Sequence, residues 1–433
     1  MSQTDTSNAG TSGPLTTQRK GLAALELDMR LIGMIAALLV IWIAFAAFTD
    51  GRFLTPRNIF NLTIQTVSVA IMATGMVFVI VTRHIDLSVG SVLGVCSAAM
   101  AMLQTQYLPE IFGLGSPFIW IFTVIAGVIV GTAIGAFHGW MIGYLTIPAF
   151  IVTLGGLLVW RNVAWHMTDG QTVGPLDPTF AIFGGINGTL GETWSWIVGA
   201  VLTAGALIML VQSRRTKAAH GFPVKPRWAE ISLGAIFTVS ILGFILIINS
   251  YQIPGPRLAR QFAARGEVMP EGLEMGYGIP ISALLLIVIA IVMTVIARRT
   301  RLGRYIFATG GNPDAAELSG IDTRMLTVKV FAIMGALCAI SAVVASARLT
   351  NHTNDIGTLD ELRVIAAAVI GGTALSGGLG TIYGAILGAL IMQSLQSGMA
   401  MVGVDAPYQN IIVGAVLVLA VWVDIIYRRR AGL

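Results

Sequence analysis

Charged residues are scarce in this sequence: only 11% of its 433 residues are Asp, Glu, Lys or Arg, whereas 55% are hydrophobic. A soluble domain carries roughly 25% charged residues, so this chain has too few to solvate an ordinary surface. Mean hydropathy is +0.82, and apolar runs recur that approach the about 20 helical residues needed to cross a bilayer. The composition excludes a soluble enzyme, a disordered protein and a nucleic-acid-binding module. It predicts an all-α polytopic protein of the lipid bilayer.

Groups for metal or covalent chemistry are also few. The two cysteines, Cys96 and Cys338, lie in apolar stretches without a CxxC partner, and the five histidines show no HExxH spacing. This excludes a disulfide framework and argues against a metal site. The sequence has no GxSxG elbow and no GxxxxGK[ST] phosphate loop. We therefore expect no catalytic residues and no cofactor on this chain, and any ATP that drives it must be bound by another chain.

Carboxylates are missing from the middle of every apolar run; Asp86 and Asp424 lie only near the ends of runs. Buried acids are the usual machinery of proton- or sodium-coupled transport. An ion-coupled secondary carrier remains an alternative, because backbone carbonyls can also hold sodium. An intramembrane enzyme would need a catalytic constellation that the sequence does not contain.

The apolar runs predict about 10–12 transmembrane helices. Three of them (88–103, 363–375 and 380–395) are short and rich in small residues, a pattern typical of broken or re-entrant helices inside a transporter. The candidate spans are 31–48, 59–81, 88–103, 118–137, 148–165, 195–211, 231–249, 279–297, 326–347, 363–375, 380–395 and 409–427.

Lys and Arg are distributed unevenly between the two sides of these spans. With a cytoplasmic N-terminus, 17 basic residues fall inside and 8 outside, as the positive-inside rule requires. Both termini are then cytoplasmic. Residues 1–28 contain few large apolar groups and are predicted to be a disordered cytoplasmic tail, which leaves 29–430 as the membrane domain.

The first informative motif is Ile85-Asp86-Leu87-Ser88-Val89-Gly90-Ser91, which joins a long span to a small-residue span. Asp86 or Ser88 can simply cap the following helix. Alternatively, the motif places a helix terminus in the translocation pathway.

The second motif is the glycine run from Gly371 to Gly380, which cannot form a comfortable continuous helix. It predicts either tight helix packing through small residues or a hinge that lines the pathway. Leu375-Ser376-Gly377-Gly378 resembles Leu87-Ser88-Val89-Gly90 in its position between spans, which indicates a weak internal pseudo-repeat.

The third motif is the segment from Arg301 to Ile321, which the Lys/Arg distribution predicts to be cytoplasmic. Asn312 and Pro313 suit the cap and first turn of a short helix, and Gly320 suits its end. A helix of about two turns is marginal alone, so it lies either on its own bundle or against a cytoplasmic partner.

At these places the sequence resembles the permease family of bacterial ABC importers for ribose, xylose, arabinose and related monosaccharides. The matching stretches are Ile85–Ser91, Phe150–Gly155, Thr300–Ile321 and Ile365–Gly380, followed by Gly384 and Gly388. The resemblance implies a type II ABC importer-like fold in the bacterial inner membrane. It also implies a homodimeric or pseudo-dimeric core, a periplasmic sugar-binding protein and a cytoplasmic ATPase that binds ATP and Mg.

The resemblance makes residues 298–325 a cytoplasmic coupling loop. We expect the coupling residues to be Gly303, Asn312, Pro313, Ala316, Gly320 and Ile321. The expected pathway or hinge residues are Asp86, Ser88, Gly90, Gly371, Gly372, Ser376 and Gly378. Asp355, Asp360, Glu361 and Arg363 fall on the external side, either as docking residues for a binding protein or as ordinary solvated loop residues.

The chain departs from shorter family members by about 80 additional residues between the stretch like Asp177-Pro178-Thr179-Phe180 and the stretch like Gly278-Ile279-Pro280. We interpret 195–275 as an inserted helix pair, which preserves downstream sidedness. The greater length resembles the xylose-type permeases, so we expect a pentose such as D-xylose. A branched-chain amino acid is the alternative within the ABC class. Arg83-His84, where the family often has small residues, is a second departure.

Overall fold

The computed structural model describes residues 29–264 and 266–431, so the predicted tail 1–28 lies outside the described residues. Within these ranges the regular elements are helical, and β-pairing is limited to isolated bridges. The all-α prediction is therefore confirmed. The helices are α1 (Met29–Phe48), α2 (Pro56–Val81), α3 (Val89–Met102), α4 (Leu108–Phe112), α5 (Ile119–Gly143), α6 (Ala149–Met167), α7 (Gly191–Ala219), α8 (Arg227–Asn249), α9 (Gly255–Ala264), α10 (Ile281–Arg299), α11 (Arg301–Gly311), α12 (Pro313–Leu318), α13 (Thr323–Leu349), α14 (Asp360–Ile370), α15 (Ile382–Met401) and α16 (Ala406–Ala431).

Membrane-spanning candidates dominate the described chain: nine helices are long and apolar enough to cross a bilayer. Two further helices approach the length and apolar character of a membrane span: α6 has 19 residues, and α16 contains the apolar stretch Ala406–Trp422. This content establishes a multi-pass membrane protein.

Three short spans differ from their predictions. The helix predicted over 88–103 begins at Val89 and continues through the π-helical segment Leu103–Tyr107 into α4, giving a candidate span of 24 residues. The prediction of a short segment was wrong because the polar residues after Met102 distort the helix without ending it. The span predicted over 363–375 stops at Ile370, before the glycine run. The span predicted over 380–395 is longer, since α15 has 20 residues.

The chain packs into two units. The larger unit comprises Arg30–Leu190 and Ile279–Leu433. The smaller comprises Gly191–Gly278 together with Met1–Met29, of which only Met29 is described. Within the smaller unit, α7 and α8 pack antiparallel, and Arg214 near the end of α7 forms an ion pair of 2.5 Å with Glu230 at the start of α8. A helix pair is thus present where the sequence predicts one, and its status as an insertion stays a prediction.

At the centre of the larger unit lie α2 and α13, whose most apolar windows are 89% and 78% buried. A row of glycines on α5 faces α13. A Cβ on Gly131 would lie 2.4 Å from the carbonyl oxygen of Gly335, and one on Gly135 would lie 2.1 Å from that of Phe331. Small residues at a spacing of four let two helix backbones approach closely in a membrane. The row against α13 comprises Gly131, Gly135, Gly139 and Gly143, whereas a Cβ on Gly127 would meet Met100 of α3.

Candidate functional site

The turn before α3 is built by Asp86. Its Oδ1 accepts hydrogen bonds from the backbone N–H of Ser88 at 2.8 Å and from the Ser88 hydroxyl at 2.6 Å. A carboxylate that bonds its own backbone two residues on stabilises a tight turn. Ser88 is the N-cap residue, but its side chain makes no cap bond to the helix. The capping interpretation is thus correct only in that Asp86 holds the turn from which α3 starts.

A buried polar chain continues from this turn to two other helices. Ser88 Oγ lies 3.3 Å from Nδ1 of His138 on α5, and the Trp160 indole of α6 donates to His138 Nε2 at 2.9 Å. Because an indole only donates, Nε2 accepts and Nδ1 carries the proton toward Ser88. The chain joins α3, α5 and α6. Sequence reasoning missed it, because its members are 22 and 50 residues apart.

Gly90 lies where α3 meets the turn that precedes α14. A Cβ at Gly90 would lie 2.2 Å from the Gly357 carbonyl oxygen and 2.5 Å from Glu361 Oε2, so no larger residue fits without a shift. Asp86 and Ser88 are 3% and 0% exposed. The structure therefore brings these three predicted pathway residues together in packed protein.

The glycine run forms a loop between α14 and α15, as its composition predicts. Gly371 packs on α15, since a Cβ there would lie 2.4 Å from the carbonyl carbon of Gly384. Gly372 and Gly378 adopt φ of +85° and +76°, a region that favours glycine. Ser376 is exposed. These predicted pathway residues thus form a second group, on a loop that contacts the end of α2.

Three elements meet at that end, and Arg83 joins two of them. Its Nε and Nη2 donate to the carbonyl oxygens of Gly310 and Gly311 at 2.9 and 2.7 Å. The N–H of Gly378 donates to the carbonyl oxygen of Val81 at 3.0 Å. The end of α2, the end of α11 and the glycine loop therefore meet at one place, which we call the Arg83 junction.

The short helix α12 follows α11 directly and forms as the sequence predicts. Asn312 Oδ1 accepts from the N–H of Ala315 at 3.0 Å, and Pro313 occupies the first turn. Gly320 ends the segment with φ of +84°. Gly303 sits at the start of α11, where its N–H donates to Thr300 Oγ1 at 3.2 Å.

The exposed face of α12 differs from the predicted set of coupling residues. Ala316 is 5% exposed, so its side chain is covered by this chain itself, and its carbonyl accepts from the N–H of Ile321 at 3.1 Å. Leu318 is 90% exposed. Leu318 is therefore the large apolar side chain that α12 exposes to a partner.

A polar cavity of about 390 Å³ opens toward the other end of α2. Ser68 on its wall and Val81 at the Arg83 junction are thirteen residues apart on the same helix, about 20 Å at 1.5 Å per residue. None of the seven predicted pathway residues lines this cavity. Its polar lining residues are Gln65, Ser68, Arg348, Thr353, Asp355, Thr358, Asp360, Arg363, Gln393 and Gln396.

Two of the charged groups in this wall form an ion pair. Arg363 Nη1 lies 3.0 Å from Asp360 Oδ1. Burial raises the pKa of the Asp360 carboxyl, and the positive charges of Arg363, Arg161 and Arg348 lower it in part. Gln393 Nε2 donates to Gln65 Oε1 at 2.9 Å. Asp360 and Arg363 are thus not ordinary solvated loop residues, one of the two interpretations that the sequence leaves open.

Metal chemistry finds no support in the described part of the chain, where no group of three or more His, Cys, Asp or Glu residues could hold an ion. Cys96 and Cys338 are both buried and free.

Comparisons with known proteins identify the family. The profile described as "Branched-chain amino acid transport system / permease component" matches residues 58–421. The chain belongs to this family of ABC-transporter permease components. It is therefore a transport subunit and not itself an enzyme, and the resemblance seen in the sequence motifs is confirmed.

Relatives match over most or all of the chain. It is 35% identical to the xylose transport system permease protein XylH of Escherichia coli K12 over 431 residues, covering 100% of both chains. XylH of Haemophilus influenzae is also 35% identical, over 92% of this chain and 97% of its own. The ribose import permease protein RbsC of Escherichia coli K12 is 30% identical, over 89% and 91% respectively. No solved structure matches the chain.

Proposed function

We propose that this chain is the membrane subunit of an ATP-binding cassette importer that moves a monosaccharide, a pentose such as D-xylose, across the bacterial inner membrane. The observation that carries this proposal is the 35% identity to XylH over 431 residues, which covers both chains completely. Because the match covers all of XylH, this relative is as long as the present chain and also has residues that correspond to 195–275. Identity to RbsC is lower and covers less of the chain.

ATP hydrolysis takes place on a cytoplasmic ABC ATPase in this proposal, and a periplasmic binding protein delivers the sugar. The permease acts as a homodimer and binds no cofactor. Both of its termini are cytoplasmic, which places the Arg83 junction and α12 inside and the polar cavity outside, in agreement with the Lys/Arg distribution.

Coupling runs from α12 through the Arg83 junction to α2 in this proposal. Leu318 on α12 meets the ATPase, and α11 transmits its movement to the end of α2. The same helix lines the cavity through Gln65 and Ser68. The Asp86 turn and the glycine loop are the hinge positions beside α2. Work is supplied because the partners bind the inward- and outward-open states with different affinity.

The test is reconstitution of the permease with its ATPase and binding protein in liposomes. These partners are first identified by co-purification through a C-terminal tag. We expect ATP-dependent uptake of D-xylose that exceeds uptake of ribose and leucine. Recovery of the permease without an ATPase, even after crosslinking, would contradict the proposal. Gradient-driven uptake by the permease alone would instead support an ion-coupled carrier.

A branched-chain amino acid is the second candidate substrate, because the description of the matching family profile names that class. Leucine uptake that exceeds uptake of every monosaccharide would favour it.

A further inference from the structure

We infer that the polar cavity at the Gln65 end of α2 is a site at which the permease itself binds the hydroxyl groups of the sugar by hydrogen bonds during transport. This inference rests on the proposed function. It adds a substrate-contacting role to a wall that includes Asp355, Asp360 and Arg363, for which the sequence predicts at most a docking contact. The cavity holds about 390 Å³, which lies in the lower part of the range of about 300–1,000 Å³ for small-molecule pockets.

The composition of the wall suits a neutral polyol. Each sugar hydroxyl donates one hydrogen bond and accepts others, so its site must offer donors and acceptors side by side. Arg348 and Arg363 supply donors, and Asp355 and Asp360 supply acceptors. These four side chains carry no formal net charge together. A cavity for an anion or a cation would instead show an excess of one sign.

The charges are compensated inside the wall. Arg363 holds Asp360 at 3.0 Å, and the guanidinium of Arg348 also acts on that carboxylate. A neutral ligand can therefore enter without leaving a buried charge unpaired, which would be costly. The carboxylate and guanidinium edges are also fixed relative to each other, so they present a defined pattern to the ligand.

Three glutamines provide the adjustable part of the site. Gln393 and Gln396 are three residues apart on α15 and so share one face of that helix, while Gln65 faces them from α2. The bond from Gln393 Nε2 to Gln65 Oε1 orients both amides. It leaves the Nε2 group of Gln65 and the Oε1 atom of Gln393 to serve as a donor and an acceptor. Such a pair matches two adjacent hydroxyls.

The location of these groups links binding to transport. The glutamines are contributed by α2 and α15, and both helices have contacts at the Arg83 end of the bundle, through Val81 and through the glycine loop that precedes α15. A shift of α2 against α15 would separate Gln65 from Gln393 and so change the contacts offered to the sugar.

The experiment uses the complete importer in liposomes with saturating, sugar-loaded binding protein. The variants are Gln396→Leu and Gln65→Leu, and the matched control is Gln409→Leu. Gln409 lies on α16, its amide donates to the Val404 carbonyl in the turn before that helix, and it does not line the cavity. Uptake is measured for the transported pentose and for each of its monodeoxy analogues. Half-saturation by the loaded binding protein is measured in parallel.

We expect the maximal uptake rate of each cavity variant to fall about two- to tenfold, the effect of losing one hydrogen bond. The fall in maximal uptake rate, relative to the wild type, should be smaller for the one analogue that lacks the hydroxyl contacted by the replaced glutamine. Half-saturation by the binding protein should stay unchanged, as should every property of the Gln409→Leu control. Gln65→Leu also breaks an internal bond, so Gln396→Leu provides the second, independent variant.

Two results would overturn the inference. One is unchanged maximal uptake by both cavity variants with all analogues. The other is weaker half-saturation by the binding protein at unchanged maximal rate, which would make this wall a docking surface. Failure of the proposed function looks different: the wild-type importer would then carry no monosaccharide at all, and the inference would fall with it.

Discussion

The guanidinium of Arg83 donates to the carbonyl oxygen of Gly310 at 2.9 Å, although the two residues are 227 positions apart. A second bond of 2.7 Å reaches Gly311. The last carbonyls of a helix lack partners within the helix and carry its negative dipole end, so a cation there is stabilising. Arg83 thereby attaches the end of α2 to α11, immediately before α12.

Replacing Arg83 should weaken coupling between the ATPase and the permease. We expect Arg83→Gln to lower sugar-stimulated ATP hydrolysis of the assembled importer by about five- to tenfold, which corresponds to a coupling free energy slightly above 1 kcal/mol. Arg83→Lys should be intermediate, because an ammonium keeps the charge but loses the planar fork. The measurement is ATPase activity with and without loaded binding protein.

The control for Arg83 is Arg57→Gln, which changes an exposed arginine in the first turn of α2, at the opposite end of that helix. It should keep full stimulation. If Arg83→Gln also kept full stimulation in a correctly assembled complex, the junction would be a structural contact only.

Leu318 should be a principal contact of α12 with the ATPase, because it is 90% exposed on a helix that is too short to be stable alone. Leu318→Asp should leave the thermal unfolding midpoint of the isolated permease unchanged. It should weaken binding of the ATPase by about 30-fold, the scale of an interface hot spot of about 2 kcal/mol. Glu317→Gln, on the exposed neighbour, is the control.

Ala316→Asp should behave in the opposite way. Because Ala316 is only 5% exposed, the new carboxylate would be forced into the chain's own packing and should lower the unfolding midpoint. An unchanged midpoint for Ala316→Asp would show that its side chain faces outward.

The Leu318 prediction has its own contradicting outcome. Loss of ATPase binding in Glu317→Gln but not in Leu318→Asp would contradict the assignment of Leu318.

The contact between α5 and α13 should depend on glycine. A Cβ at Gly135 would lie 2.1 Å from the Phe331 carbonyl oxygen, so Gly135→Ala must push two backbones apart. We expect a loss of about 1–3 kcal/mol in the free energy of unfolding, measured by denaturation in detergent. Gly414→Ala is the control, since nothing lies within 4 Å of its added Cβ, and alanine there should be neutral or stabilising. Equal stability of the two variants would refute close packing at Gly135.

His352 should make stability depend on pH. Its side chain is fully buried and bonds Ser97 Oγ at 2.9 Å. Burial lowers the pKa of the imidazole to about 4, with the positive charge of Arg161 acting in the same direction. Between pH 6.5, the ordinary value, and about pH 4, the unfolded chain binds a proton that the folded chain does not. Stability should therefore fall as the pH is lowered through this window.

The measurement is the thermal unfolding midpoint in detergent between pH 7 and pH 4. His352→Asn should show a smaller decline across this window than the wild type. His220→Asn, which removes an exposed histidine, should decline as the wild type does. An identical decline in His352→Asn would contradict the prediction.

The sequence by itself determined the class of protein and its local structure. Scarce charge and recurring apolar runs sufficed for a helical membrane protein, because a bilayer admits few other solutions. Asn312, Pro313 and Gly320 predicted α12 correctly, and the glycine run predicted a break between α14 and α15. These features depend on residues within one or two turns of each other, so they can be read along the chain. The ABC permease family followed from the motifs, and the comparisons confirm it.

Only the tertiary structure decided which side chains meet. The cavity wall joins Gln65 to Gln393, the Arg83 junction joins α2 to α11, and a tryptophan and a serine reach His138 from different helices. Such contacts depend on how helices cross, which the apolar pattern does not encode because nearly every face is apolar. For the same reason the sequence could not tell that Ala316 is covered while Leu318 is exposed. The sequence motifs point to glycines and capping residues, and only the tertiary structure shows that a polar cavity lies far along α2 from them.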